Sequence, residues 1–262
     1  MKLVNNILEE MGLIHLWVRR KVYSNTYVRS PEDDTSMIEV SSQTAEHVFK
    51  NNNILELDTP LPSYDSADED IVASKLNWNI LRSRVVNCMC CHLCERRMNT
   101  VFGIGDRQAD WMLIGEAPGE MEDLQGEPFV GQAGKLLDNM LKSLSLNRKN
   151  NVYITNLIKC RPPGNRNPEP NEIANCIPYL RQQIELVKPK LIVTLGRFAG
   201  QTLLQSTSSI KSMRGRVHAY KGIPVVVTYH PAYLLRNLNE KSKAWIDLCL
   251  ARDIFSCKNQ RT

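Results

Sequence analysis

The chain has 262 residues, of which 42% are hydrophobic and 23% charged, with a net charge of +5. That is enough for one full α/β domain plus an appendage, and no continuous apolar run is long enough to cross a bilayer. Asn5, Asn6, Glu9 and Glu10 interrupt the apolar positions of residues 1–20, which end in Arg19-Arg20, so nothing there reads as a signal peptide. The expectation is a soluble, cytoplasmic protein with no membrane partner. Its eight cysteines then read as metal ligands or buried thiols rather than disulfides.

Charge is unevenly spread. Residues 30–75 hold eleven acidic side chains against two lysines, a net of −9, so the remainder carries +14. A basic body with an acidic stretch suggests a polyanionic partner.

In chain order, apolar residues at Leu3, Ile7, Leu8, Met11, Leu13, Ile14, Leu16 and Trp17 are partly helical in period and predict a short amphipathic helix over 1–20, which packs on the chain's own body or, as the alternative reading, docks a protein partner. Residues 21–75 are polar, acidic and rich in Ser, Asn, Asp and Pro. They read as a disordered linker, since too little apolar surface is there to build a core. The folded domain is expected over 76–262. It opens with a helix through Trp78, Ile80, Leu81, Val85 and Val86 that carries Cys88, Cys90, Cys91 and Cys94 near its end.

Trp111-Met112-Leu113-Ile114 is an apolar run ending at Gly115, the signature of a buried strand that stops at a tight turn. The loop Gly115 to Gly131 follows as a long structureless stretch dense in acidic residues. A helix is expected from Ala133 to about Leu146, then a strand from Val152 ending at Asn156. A Pro/Gly/Asn loop from Arg161 to Pro170 leads into a helix from about Asn171 to Val187. A strand Leu191–Leu195 ends in Gly196, a short helix covers 197–205, a hairpin-like pair covers Val217–Tyr220 and Val225–Thr228, and a last helix runs from about Glu240 to Phe255. Strands alternating with helices imply a mostly parallel sheet covered on both faces. In such a sheet the polar residues after the strand ends converge where ligands bind: Glu116, Glu122, Asn156 and His230.

Cys88-x2-Cys91, followed far along the chain by Cys160-x15-Cys176, is a four-thiolate pattern that suits zinc or an iron–sulfur cluster. The proline-rich Cys160–Cys176 loop fits the bulkier cluster better. Cys91-x2-Cys94 is an alternative first pair that spacing alone does not exclude.

Three motifs in order, Gly115-Glu116-Ala117-Pro118-Gly119-Glu120-Met121-Glu122-Asp123, Thr155-Asn156-Leu157-Ile158-Lys159-Cys160-Arg161-Pro162-Pro163 and His230-Pro231-Ala232-Tyr233-Leu234-Leu235-Arg236, resemble those of family 4 uracil-DNA glycosylases, the bacterial and archaeal type with a [4Fe–4S] cluster. The resemblance runs from about Val85 to about Phe255. It implies a three-layer α/β/α sandwich around a four-stranded parallel sheet, with Cys88, Cys91, Cys160 and Cys176 as cluster ligands and Cys94 outside the set.

It also implies roles. A glycosylase must flip its nucleotide out of the stack. Phe129 would stack on the base, with Ala117 beside it, and Asn156 would pair with uracil N3–H and O4. Glu122 would crowd out a thymine methyl, and His230 would donate to O2 as the base leaves. Other uracil glycosylases carry an Asp where this chain has Ala117, so the water-orienting role falls to Glu116, with Asn165 in support. Leu234 and Leu235 would wedge into the emptied stack. Arg161, Arg166, Lys211, Arg214, Arg216 and Arg236 would meet phosphates of uracil-containing DNA, single- or double-stranded, bound by a monomer. One relative traps uracil covalently through a His in an insert of the cluster loop; residues 161–175 have neither, so turnover is expected. The rival readings are an iron–sulfur redox enzyme, which four well-separated ligands argue against, and a non-catalytic uracil-binding module of a replication or repair complex.

Overall fold

The computed structural model describes residues 77–259; the helix expected over 1–20 and the linker expected over 21–75 lie outside the described residues. Asn77 opens the first helix, its side-chain oxygen accepting from the Asn79 backbone N–H at 2.8 Å, the usual work of an N-cap. Helix α1 (Trp78–Val86) ends just ahead of the cysteines. Among the described residues no helix is long and apolar enough to cross a membrane.

The centre of the domain is a sheet in the order β1-β3-β2-β4-β6-β5. Its four inner strands, β3 (Val152–Asn156), β2 (Trp111–Gly115), β4 (Leu191–Leu195) and β6 (Ile223–Thr228), are parallel. Strands β2, β3 and β4 are buried along their whole length, as expected where helices cover both faces of a parallel sheet. Two short antiparallel strands extend the expected four-stranded sheet to six. Strand β1 (Ile104–Gly105) pairs with β3, and β5 (Val217–Tyr220) with β6. A two-residue strand has no periodicity to read, so β1 is decided by its neighbour.

Alternate residues of each strand feed opposite cores. Met112, Ile114, Tyr153 and Ile192 face α4 (Pro170–Val187) and α5 (Arg197–Leu204) through Leu180, Ile184 and Leu203. Trp111, Leu113, Ile154 and Val193 face α3 (Gln132–Ser143) and α8 (Lys241–Asn259) through Leu137, Leu141 and Ala251. This is the three-layer sandwich. Chain order runs from β2 to β3 on one side, then back across to β4 on the other. The direction therefore reverses between β2 and β4, and the crevice outside their carboxyl ends is where such a sheet binds ligands.

The segment after β2 is not structureless. Glu120–Gln125 forms a short helix, α2, capped at Gly119 and closed by Gly126 in the left-handed region (φ 73°). Glu120, Glu122 and Asp123 occupy its first turn, where negative charge suits the N-terminal end of the helix dipole.

Beneath the end of β6 lies a buried charged pair. Asp247 is fully buried; it accepts from Arg214 Nε at 2.7 Å, Thr228 Oγ1 at 2.7 Å and Gly215 N at 3.2 Å. The Arg214 guanidinium also lies 4.4 Å from the centre of the Tyr229 ring. Removing one member of a buried pair strands the other charge. Asp247→Ala is therefore expected to lower the unfolding free energy by about 3–5 kcal/mol, read from the shift in the urea midpoint; a near-zero shift would show that Arg214 finds other partners at no cost.

Candidate active site

The four parallel strands deliver their next residues to one edge. Glu116 and Ala117 follow β2, Asn156 closes β3, Gly196 and Arg197 follow β4, and Tyr229 and His230 follow β6. Together with Gly119, Glu122, Phe129, Asn165, Lys211 and Arg236 they line a cleft of about 670 Å³. The sequence-predicted polar residues Glu116, Glu122, Asn156 and His230 thus do converge.

Gly115 pairs with Asn156 across β2 and β3. A Cβ at residue 115 would collide with Asn156 Oδ1 and come within 2.6 Å of the Phe129 ring. Glycine is required here for close approach, and it lets the amide and the aromatic meet. Asn156 is 1% exposed, and its Oδ1 has no hydrogen-bond partner. The amide is thus wedged between neighbours rather than oriented by a hydrogen bond. An unmade hydrogen bond at a buried acceptor costs about 1–3 kcal/mol. At the edge of a cleft, such an acceptor is a candidate to pair with a ligand's donor.

Phe129 sits with φ 55°, rare for an aromatic residue. Arg148 holds it there: Nη1 donates to Pro128 O at 2.9 Å and Nη2 to Phe129 O. Its ring packs 5.5 Å from His230, centre to centre. Glu122 accepts from the backbone N–H of Gly119 (3.1 Å), Val130 (2.9 Å) and Gly131 (3.0 Å). Its carboxylate is therefore a fixed wall of the cleft as well as the staple of the loop.

His230 caps α7 (Pro231–Arg236), its Nδ1 accepting from Ala232 N at 3.1 Å. With Nδ1 an acceptor, the ring proton sits on Nε2. Burial pulls the imidazole down to about 4, Arg236 adds to the shift and Glu122 opposes it, so the ring is neutral at physiological pH. Burial raises the Glu116 carboxyl above the ordinary carboxylate range, and Arg197 works against that rise.

Arg197 is the site residue that sequence reasoning missed. Its guanidinium lies 4.6 Å from the centre of the Phe198 ring at the start of α5. A cation in a helix's first turn opposes the dipole, and that misfit, directly after a strand-end glycine, is the signal that could have found it.

The expected DNA contacts divide. Leu235 and Tyr233 are exposed, whereas Leu234 is 1% exposed and packs with Leu136, Met140 and Leu248. Leu234 is therefore core, not wedge. The α7 turn can present only one of two consecutive leucines outward. Arg214, expected at a phosphate, is instead committed to Asp247. Arg166 pairs with Glu172 at 2.5 Å. Arg161 donates to Asn165 Oδ1 at 2.8 Å and lies 3.9 Å from Glu120. Arg236 and Lys211 line the cleft, and Arg216 is exposed outside its wall.

A second, smaller cavity is lined by Cys88, Cys91, Cys160 and Cys176, with Cys90 and Cys94 beside them. Cys160 and Cys176 are buried; Cys88 and Cys91 are half-buried. Two N–H groups point at sulfur: Arg97 Nη1 to Cys160 Sγ at 3.2 Å, and Lys159 N to Cys176 Sγ at 3.3 Å. Burial pushes the Cys176 thiol up to about 12, so a metal cation would be needed to make it a thiolate. Among the described residues no three His, Cys, Asp or Glu side chains converge tightly enough for a single metal ion.

The model of the uracil DNA glycosylase superfamily matches residues 102–251. A Type-4 uracil-DNA glycosylase of Sulfurisphaera tokodaii is 46% identical over 167 residues, 61% of this chain and 76% of that protein. One of Archaeoglobus fulgidus is 45% identical over 58% of this chain and 79% of its own length. One of Thermotoga maritima is 43% identical over 60% and 83%. A parallel sheet whose strand ends gather a buried, unpartnered amide, an aromatic and a neutral histidine accords with those likenesses, and the chain belongs to the uracil DNA glycosylase superfamily and, within it, to the type-4 uracil-DNA glycosylases.

Proposed function

We propose that this chain excises uracil from DNA by hydrolysing the C1′–N1 glycosidic bond, leaving an abasic site for base excision repair. The observation that carries the reading is the buried Asn156 amide, whose Oδ1 has no partner in the protein. Uracil N3–H supplies the missing donor, and O4 accepts from the amide nitrogen. The flipped base stacks on Phe129, with Glu122 held rigidly where a C5 methyl would have to fit.

As the bond breaks, electrons pass to the base and the sugar becomes oxocarbenium-like. His230 donates from Nε2 to uracil O2. A neutral donor suffices, because what is stabilised is a developing anion. Glu116 lies on the sugar side, where a carboxylate stabilises the cation and orients the water that adds to C1′. Asn165 supports that water. Arg197 offsets part of the rise that burial imposes on Glu116. Leu235 and Tyr233 enter the space the base leaves, and Lys211, Arg216 and Arg236 meet phosphates, so affinity falls with salt. The substrate is uracil-containing DNA, single- or double-stranded, bound by a monomer in the cytoplasm.

Cys88, Cys91, Cys160 and Cys176 fit a [4Fe–4S] cluster better than zinc. The four cysteines line one cavity together with the Cys160–Cys176 loop, and an all-thiolate donor set with a long, proline-rich second spacing suits the bulkier cluster. When bound, the cluster is structural: it pins the loop from Cys160 to Cys176, which carries Asn165 into the cleft.

A uracil oligonucleotide treated with the protein and then alkali is expected to break at the uracil; tight binding with no alkali-labile site would leave a binding module instead. In single-turnover assays His230→Ala is expected to cost about 10²–10³-fold, the usual loss of an oxyanion donor, and Glu116→Gln less; the reverse order would refute the division of labour.

The pH profile carries the same logic. His230, lowered to about 4, is neutral above that pH and adds no inflection near its ordinary value of about 6.5. The acid limb belongs to Glu116, is lost as pH falls through its raised value, and disappears in Glu116→Gln. A limb near 6.5 that vanishes with His230 would contradict this.

Gly115→Ala is expected to abolish excision while uracil-free DNA still binds, since its Cβ enters the space of Asn156 and Phe129; gel-shift and excision assays on the same preparation separate the two. Iron and sulfide should co-purify with the anaerobically prepared chain and fall in Cys176→Ser; zinc in their place would reject the cluster.

A further inference from the structure

On the wall of the cysteine cavity lies a lysine whose buried ammonium neither site accounts for. Lys159 is 1% exposed, and its Nζ makes three hydrogen bonds, to Thr155 Oγ1 at 2.7 Å, Asn156 O at 2.8 Å and Gln183 Oε1 at 2.7 Å. Three acceptors match the three protons of an ammonium. The two side-chain acceptors are themselves held. Thr155 Oγ1 lies 3.0 Å from Phe102 O, and Gln183 Nε2 donates to Phe102 O at 2.8 Å and to Tyr153 Oη at 3.2 Å. The network therefore ties the last two residues of β3 to α4 and to the chain entering β1.

The same residue touches the cysteine cavity through its main chain. Its N–H donates to Cys176 Sγ at 3.3 Å, and its carbonyl accepts from Val101 N at 2.8 Å. Cys160, the next residue in the chain, lines the same cavity.

We propose that Lys159 is a positioning residue for uracil recognition: it fixes the strand end that carries Asn156 by bracing it against the cysteine cage, so that filling the cage and placing the uracil-reading amide are one coupled event. The coupling rests on the cluster reading above; the strut itself rests only on the hydrogen bonds. The cage thereby gains a second task beyond pinning its own loop, and the braced carbonyl explains how an amide with no side-chain partner can be held still.

The test compares Lys159→Met and Gln183→Leu with the wild type. Gln183 lines neither the cleft nor the cysteine cavity. Three quantities are measured on each: iron per chain, single-turnover excision, and the Kd for a duplex carrying the uncleavable 2′-fluoroarabinouridine against its thymidine counterpart. Lys159→Met with wild-type iron is expected to lose about 100-fold in excision, the scale of a misplacement of about 1 Å. It should also lose its preference for the uridine analogue while thymidine-duplex binding stays unchanged. Gln183→Leu should move the same two readouts by less.

Iron removal from the wild type should reproduce the Lys159→Met loss, and removal from the variant should add little, because coupled effects are not additive. Unchanged excision and preference in an iron-loaded Lys159→Met, or in Gln183→Leu should the first variant not fold, overturns the strut. Equal loss of both DNA affinities reduces it to general stability and overturns it too. Full additivity of iron loss and Lys159→Met overturns the coupling. A wild type that excises uracil after its iron is removed, while Lys159→Met does not, overturns the coupling and leaves the strut in place.

Discussion

The pairing of Gly115 with Asn156 across two parallel strands sets where everything else in the site can stand. A slip of one residue in either strand would turn the amide to the other face of the sheet. A side chain at residue 115 would push the amide and Phe129 apart. Because β2 and β3 are buried from end to end, their register is held by hydrophobic packing far from the cleft. The recognition geometry is therefore a consequence of the core, not of the loops.

The loops are then fastened to that frame by charges that are half-buried, as at Glu122 and Arg148, or fully buried, as at Asp123 and Asp247. Glu122 gathers three backbone N–H groups, and Arg148 gathers the carbonyls of Pro128, Phe129 and Gly134. Asp123 accepts from Met98 N and Asn99 N, joining the helix after β2 to the segment that leaves the cysteines. Asp247 does the same beneath β6, just ahead of His230. Buried ionic groups bring little net stability, but each satisfied one holds a backbone segment in a single place. Such preorganisation is what electrostatic stabilisation of a transition state requires, since donors that had to reorient during the reaction would lose most of their advantage.

The opening acidic loop divides accordingly. Glu116 lies in the cleft beside a cation, Glu122 and Asp123 hold the loop together, and Glu120 is exposed with Arg161 at 3.9 Å. Ala117 lines the cleft with no chemistry of its own. The absence of a carboxylate there shifts weight to the leaving-group side, where His230 has its proton fixed on Nε2 by the cap it makes with Ala232.

Much of this was legible without coordinates. Apolar runs that stop at Gly115, Asn156 and Gly196 carry both the strand and its end, because a parallel strand buried on both faces needs an unbroken apolar stretch and the turn after it needs a breaker. Alternation of strands and helices then implies that those ends share an edge. The cysteine spacing and the three motifs were readable for the same reason: they are local patterns. What the sequence could not rank were choices between chemically similar neighbours. Leu234 and Leu235 are identical in type, and only the packing of α7 on Leu136 and Leu248 buries the first and exposes the second. Arg214 and Arg236 are equally basic, and only the fold brings Asp247 to one and the cleft to the other. Arg197 and Lys159 owe their significance to partners contributed by other elements, Glu116 to the first and Gln183 to the second. Local pattern determined the elements and the place of the site; tertiary structure decided which charges and apolar groups remain free to act, because burial and pairing are set by residues distant in the chain.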